Sequence, residues 1–300
     1  MRKRNEDKTV ESKKASVIST VILAVFAAFC ILPILLVITI SITSQKGIVA
    51  DGYSLLPRSI SFEAYKMIFA NPGQLIHSYF ITIIVTVLGT FFSMLISSML
   101  AYVISRKDYP LANKTSFYIF FTMLFSGGLV PWYILISRTF HMSNTIFALF
   151  VPYLVTPWFV LLMKGFLSTT PFSIIESAKI DGCSEYRIFF RIILPINKPG
   201  LATVGLFSVL MFWNDYWLSL LFIDNNKLYT LQFLLYRIMS NLTFLNSSLG
   251  VNAGVGAGAN LPSESARMAM CLLAAGPMLF VFPFFQRFFV KGLTVGAVKG

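Results

Sequence analysis

Charge is the scarcest feature of this 300-residue sequence: 12% of its residues are Asp, Glu, Lys or Arg. Average soluble domains carry about a quarter. The chain cannot cover a globular surface with polar groups, which excludes a solvated enzyme or a transcription factor. Cysteine is nearly absent. Cys30, Cys183 and Cys271 are scattered and odd in number, so neither a disulfide framework nor a metal-binding spacing is present. His77 and His141 stand far apart, without the paired ligands that zinc requires. There is no Walker A lysine, no Ser/His/Asp set and no H-E-x-x-H. No residue is assigned a catalytic role, and no metal or cofactor is expected on this chain.

What is abundant is apolar: 56% of residues are hydrophobic and 30 are Phe, with a mean hydropathy of +0.76. A membrane span needs about 20 largely apolar residues to cross about 30 Å of hydrocarbon. Six stretches qualify: Ala15–Ile42, Ser78–Ser105, Thr115–Ile136, Thr145–Met163, Gly200–Ile223 and Met268–Val290. The first five contain no Lys or Arg, and the sixth holds Arg287 near its end. Each is expected to be helical, because lipid offers no partner to an unpaired backbone group. The first is too long for the core of a signal peptide, which runs about 7–15 residues. It reads as a retained anchor, bent at Pro33. The expected fold class is an all-α membrane protein of six helices. Its organisation is a short segment 1–14, a membrane domain 15–290 and a tail 291–300.

Orientation follows from the loops. Of the 24 basic residues, seventeen fall in 1–14, 105–114, 164–199 and 287–300. The opposite loops, 43–77, 137–144 and 224–267, hold the other seven. The basic side is cytoplasmic by the positive-inside rule, so both termini are expected inside. The excess of bases is a topology signal, and no nucleic-acid partner is inferred from it.

Between the spans, Phe62–Phe69 is amphipathic and suits a short interfacial helix. Residues 250–259 are a tract of small residues with loop composition. Asn241-Leu242-Thr243 and Asn246-Ser247-Ser248 match glycosylation triplets, although nothing in the sequence marks a eukaryotic secretory route. Segment 164–199 is punctuated differently. Thr170 can cap a helix with Pro171 in its first position, and Gly182 can stop it. Ser184 can cap a second short helix that ends before Pro195. Phe172, Ile175 and Ala178 share one helical face, which either packs on the spans or is offered to a partner.

Glu176-Ser177-Ala178-Lys179-Ile180-Asp181-Gly182-Cys183, followed by Ile192-Ile193-Leu194-Pro195, resembles the EAA loop of permease subunits from ABC importers. Ser177 and Cys183 depart from the usual alanines, but both are small. The tail from Gln286 to Gly300 resembles that of maltose-type sugar permeases. Ser126-Gly127-Gly128-Leu129-Val130-Pro131 resembles the branch linked to oligosaccharides, uronate-containing ones included. The resemblance implies the type I importer permease fold with a cytoplasmic coupling helix. It implies a second, similar permease, two ATPase subunits that hold ATP and Mg, an extracytoplasmic binding protein and a carbohydrate substrate. Glu176, Ser177, Ala178, Asp181, Gly182, Leu194 and Pro195 would then form the ATPase-coupling element.

Individual roles stay open at this level. Glu176 either meets the ATPase or pairs with Lys179 within its helix. Asp181 either caps the turn or pairs within the loop. Asp215 is the sole acid inside a span, and such a group suggests function, although it can also reach the outer interface. With Trp213, Asn214 and Trp217 it is a candidate for the substrate path, since an aromatic face and an amide suit a sugar. A permease for another solute is the runner-up. A self-contained channel or proton-coupled carrier is disfavoured by the single intramembrane carboxylate.

Overall fold

A computed structural model of the chain describes the backbone of residues 2–57, 59–70, 72–245 and 263–297, with side chains placed for 17–57, 59–70, 72–244 and 264–285. The tract 250–259, the second glycosylation triplet and the side chains of the basic N-terminus and of the tail lie outside the described residues.

The described elements are helical. In chain order they are α1 (Arg2–Ser41), α2 (Gln45–Asp51), α3 (Glu63–Ile68), α4 (Pro72–Ser105), α5 (Ala112–Leu124), α6 (Leu129–Ile134), α7 (Pro157–Leu167), α8 (Phe172–Ile180), α9 (Glu185–Ile188), α10 (Leu194–Ile196), α11 (Lys198–Trp213), α12 (Trp217–Phe222), α13 (Leu231–Leu245) and α14 (Ser263–Ala297). Three helices are long and apolar enough to cross a membrane: Val17–Ser41, Pro72–Ser105 and Glu264–Phe285. The number rises to six if three bent pairs each count as one span.

The chain divides into two compact units. The first comprises 1–70 and 239–273, the second 71–238 and 274–300. In the first unit α1 exposes apolar side chains from Val17 to Leu35, the surface of a helix bathed in lipid. Its helical assignment continues through Pro33. The segment after it is tied locally. Ser44 caps α2 by accepting the Gly47 amide at 3.1 Å, and the hydroxyls of Ser41 and Tyr65 lie 3.0 Å apart. The expected amphipathic helix is α3, with Ala64 and Ile68 buried.

In the second unit α4 is the central helix, packed on α11 and α7. Its seam reads Ser78, Thr82, Val85, Gly89, Ser93, Ser97 and Ala101, all buried and three or four residues apart. Helices in lipid gain little from hydrophobic burial against each other, so close approach through small side chains supplies the attraction. At Gly89 an added Cβ would sit 2.8 Å from the Phe212 ring. At Gly200 it would sit 2.8 Å from Phe166.

Three of the expected spans are broken or bent. The third turns by 108° between α5 and α6, where Phe125 is extended and Gly128 adopts φ +89°. The fourth starts as short 3-10 turns, Ile146–Leu149 and Val151–Tyr153, and bends by 50° into α7. The fifth stops at Trp213, with Asn214 as its C-cap, leaves the helix at Asp215 and Tyr216 and resumes as α12.

Candidate functional site: the 164–199 loop and its anchor

The segment between α7 and α11 forms two short helical arms. In α8 the face carrying Phe172, Ile175 and Ala178 turns inward and joins a core with Val160, Met163, Ile188 and Val204. That settles its role as packing. The opposite face is open: Glu176 and Ser177 are exposed, and Ile180 is 85% exposed. An 85% exposed isoleucine in an otherwise well-packed loop is an uncovered apolar contact. Tyr186, on the second arm, is likewise exposed, at 71%.

Gly182 has φ +74° and lies just beyond the end of α8. The Cys183 amide donates to the Ala178 carbonyl at 2.9 Å, and the Gly182 amide to Lys179 at 3.0 Å. This pair of bonds is a Schellman turn, which takes up the last carbonyls of the helix and favours glycine at the left-handed position. Asp181 is the C-cap residue, exposed, and its carboxylate joins no ion pair among the described residues.

Two expectations of helix punctuation are corrected. Pro171, not Thr170, precedes the first turn of α8, with no side-chain cap. Thr170 is engaged elsewhere: its hydroxyl accepts from Asn197 Nδ2 at 3.0 Å. The second arm does not end before Pro195. It runs from Glu185 to Ile196 through a π turn at Phe189–Ile193. A π turn admits an extra residue per turn, and the missing amide of Pro195 falls two residues after it. Beyond this arm the backbone bends by 84° into α11. Buried Asn197 sits at the corner, donating to Thr170 and, at 3.0 Å, to the Ile193 carbonyl.

The loop is tied to the end of α4 by a cluster of charges. Arg106, with a side chain only 8% exposed, places Nη1 2.6 Å from Glu185 Oε2 and 2.7 Å from the Tyr102 hydroxyl. That hydroxyl donates to Glu185 Oε2 at 2.9 Å. Arg106 Nε donates to Asp108 Oδ1 at 2.6 Å, and Nη2 pairs with Oδ2 of the same carboxylate. Lys179 Nζ completes the set, 3.1 Å from Asp108 Oδ2 and 3.1 Å from Glu185 Oε1. Arg106 beside it, then Lys179, hold the Asp108 carboxyl well below the usual range. Burial pushes the Glu185 carboxyl up, but the Tyr102 hydroxyl and the two cations outweigh that and lower it. The bonds to Asp108 and Glu185 raise the Lys179 ammonium.

Sequence reasoning missed this cluster. It compared Glu176 with Lys179 because they are three residues apart, whereas Lys179 pairs with residues outside its helix. The adjacent Arg106 and Asp108, just past a span that ends in Tyr102, were the available signal.

The candidate substrate-path residues separate. Trp213 is buried, 4% exposed, and its indole donates to the Ala274 carbonyl at 2.9 Å. Asn214 is exposed at the break, bonded to the Leu210 carbonyl and to Gln232. Asp215 Oδ2 accepts the Leu218 amide at 3.1 Å, in the first turn of α12, where the helix dipole favours an anion. Trp217 lines an open groove of about 610 Å³ with Ser126, Gly128, Pro131, Trp132 and Tyr153. The groove contains the bend of the third span. Of the four candidates, Trp217 alone reaches it.

Comparison with known proteins bears on this arrangement. The family described as "Binding-protein-dependent transport system inner membrane component" matches residues 110–295. The polygalacturonan/rhamnogalacturonan transport system permease protein YtcP of Bacillus subtilis (strain 168) is 35% identical over 279 residues, 93% of this chain and 96% of that protein. Protein LplC of the same organism is 34% identical over 275 residues, 91% of this chain and 90% of that protein. Among solved structures, a chain from a bacterial ABC transporter involved in the import of the acidic polysaccharide alginate superposes with a TM-score of 0.75 at 26% identity, covering 91% of this chain and 96% of that one.

Proposed function

We propose a role that proceeds from one premise: this chain belongs to the family of binding-protein-dependent transport inner membrane components. It is a multi-pass, non-catalytic permease subunit of an ABC transporter complex. The finer reading is that it forms half of the translocation path for an oligosaccharide, with a second permease forming the other half. One relative is a polygalacturonan/rhamnogalacturonan transport permease and the solved transporter imports the acidic polysaccharide alginate, so a galacturonate oligosaccharide is the first substrate to try. Both termini and the 164–199 loop face the cytoplasm, where two ATPase subunits hold ATP and Mg. An extracytoplasmic binding protein delivers the sugar.

The observation that carries this reading is the two-faced build of α8. Phe172, Ile175 and Ala178 are packed into the protein, while Glu176, Ser177 and Ile180 face outward. A short helix held on one side and open on the other suits seating in a cleft of an ATPase subunit. Closure of the ATPases would draw the paired loops together and switch the spans between two packed states, as in other rigid-body transitions. The substrate path is assigned to the broken spans, with Asn214, Asp215 and Trp217 at the break of the fifth and the groove at the bend of the third. Trp213, buried and bonded to Ala274, stands outside that path. The test is reconstitution of the chain with its genomic neighbours in proteoliposomes. Uptake of labelled oligogalacturonide that needs ATP, the ATPase subunits and the binding protein is expected. Uptake by the isolated chain would refute the reading.

A further inference from the structure

Arg106 lies one residue past the end of α4, yet its side chain is 8% exposed. Its donors are divided between two directions. Nε and Nη2 form a two-point contact with Asp108, and Nη1 points the other way to Glu185 and the Tyr102 hydroxyl. A guanidinium is planar and rigid, so bonds on both of its sides fix its orientation. Lys179 approaches from α8 and touches both carboxylates. Two cations and two anions therefore alternate in one cluster. Among the described residues, these are the ion pairs that join the 164–199 loop to another part of the chain.

The apolar contacts at the same place are of a different kind. Ile175, Ala178 and Ile188 share a core with Ala101, Tyr102 and Ile104 of α4. Such contacts hold the loop close but are non-directional, so they allow one surface to slip along the other. The charged cluster is directional and sets the register. Lys179 bridges Glu185 and Asp108 from an exposed position; Arg106 bridges the same two carboxylates from a shielded one, paired on both sides.

We infer that Arg106 is a positioning residue that locks the coupling loop to the cytoplasmic end of the second span, so that displacement of the loop is carried into α4. This inference rests on the proposed coupling role of the loop. Through its small-residue seam α4 then passes the displacement to α11 and α7. Without Arg106 the loop still presents Glu176 and Ile180 to the ATPase, but its movement is taken up by slip.

The test uses the complete importer in proteoliposomes, with variants Arg106→Gln, Arg106→Lys and Glu185→Gln. Labelled oligogalacturonide uptake and ATP hydrolysis are measured on the same preparations. Hydrogen exchange is followed in segments 98–109 and 172–188 before and after trapping with ATP and vanadate. In Arg106→Gln the ATPase subunits are expected to stay bound, while uptake per ATP falls about tenfold, within the usual range of coupling between sites. Trapping should change exchange in 172–188 and no longer in 98–109. Arg106→Lys keeps the charge without the fork and should recover part of the loss. Wild-type uptake per ATP in Arg106→Gln overturns the inference. If that variant does not assemble, wild-type uptake per ATP in Glu185→Gln overturns it instead. If trapping leaves 172–188 unchanged even in the wild type, the coupling reading itself has failed, which is a distinct result.

Discussion

Lys179 places its ammonium 3.1 Å from Asp108 Oδ2, a residue 71 positions earlier in the chain, and is not paired with Glu176 in its own helix. Glu176 is left at the surface, in no ion pair among the described residues. A lysine and a glutamate three residues apart contribute only about 0.2–0.5 kcal/mol to a helix. The cluster offers Lys179 two carboxylates at once, and it wins.

Glu176 is accordingly expected to matter for binding and not for stability. Glu176→Lys should change the melting temperature of the detergent-solubilised complex by an amount equivalent to about 0.5 kcal/mol or less, as for other surface changes. Retention of the ATPase subunits during purification should fall several-fold. A normal subunit ratio in the purified complex would refute the contact.

Gly182 is a second point of attack. Its φ of +74° costs a residue with a Cβ roughly 1–2 kcal/mol, and the Schellman turn would distort. Gly182→Asp is expected to leave the permease in the membrane but to uncouple ATP hydrolysis from uptake. The check is the ratio of sugar transported to phosphate released. An unchanged ratio would show that the turn is incidental.

The pH dependence has a defined window. Asp108 and Glu185 titrate lower in the folded chain than the roughly 3.9 and 4.3 of free carboxyls. Their stabilisation is therefore complete above about pH 5 and is lost as pH falls through the folded values. Lys179 is raised, so its share is complete below about pH 10, near the free value, and is lost as pH rises through the folded one. The difference in melting temperature between wild type and Glu185→Gln should stay level across the intervening range and shrink in acid. A difference that changed steadily from pH 6 to 8 would count against this cluster as its source.

The seam of α4 is sensitive to size. A Cβ at Gly89 would lie 2.8 Å from Phe212 ring atoms, which must then move. Gly89→Val is expected to destabilise the protein by about 1–3 kcal/mol, the usual cost of overpacking. Thermal unfolding in detergent reads this directly, and an unshifted transition would mean that the two helices are not held this closely.

The aromatic residues at the break of the fifth span should divide by role. Trp213→Ala removes a buried side chain and its bond to Ala274, so a loss of about 3–5 kcal/mol of stability is expected. Trp217→Ala removes a wall of the groove, so expression should be kept while the apparent KM for the sugar rises. Equal behaviour of the two variants in both assays would sink the distinction.

Much of the architecture is legible in the sequence. Hydropathy locates the spans because lipid demands long apolar helices. The spacing from Glu176 to Pro195 locates the loop because a helix, a glycine turn and a second arm each leave a local signal. The breaks are less visible. In the sequence the bend at Gly128 reads only as a motif, and the interruption at Asn214–Tyr216 reads as continuous helix. Both stretches are apolar enough to be spans, and hydropathy does not register a missing backbone bond.

The sequence by itself determined the class of molecule, its helices and the position of the 164–199 loop, since each depends on composition or on residues within one or two turns of each other. The tertiary structure alone decided the partners of its few charges. It sent Lys179 to Asp108 and Glu185, buried Arg106 between two carboxylates, turned Ile180 outward, buried Trp213 and set Trp217 in the groove wall. Those outcomes depend on segments some 70 to 80 residues apart meeting at one place. Apolar patterning is periodic and readable along a chain. An ion pair depends on which distant atoms come within about 3 Å, and packing alone determines that.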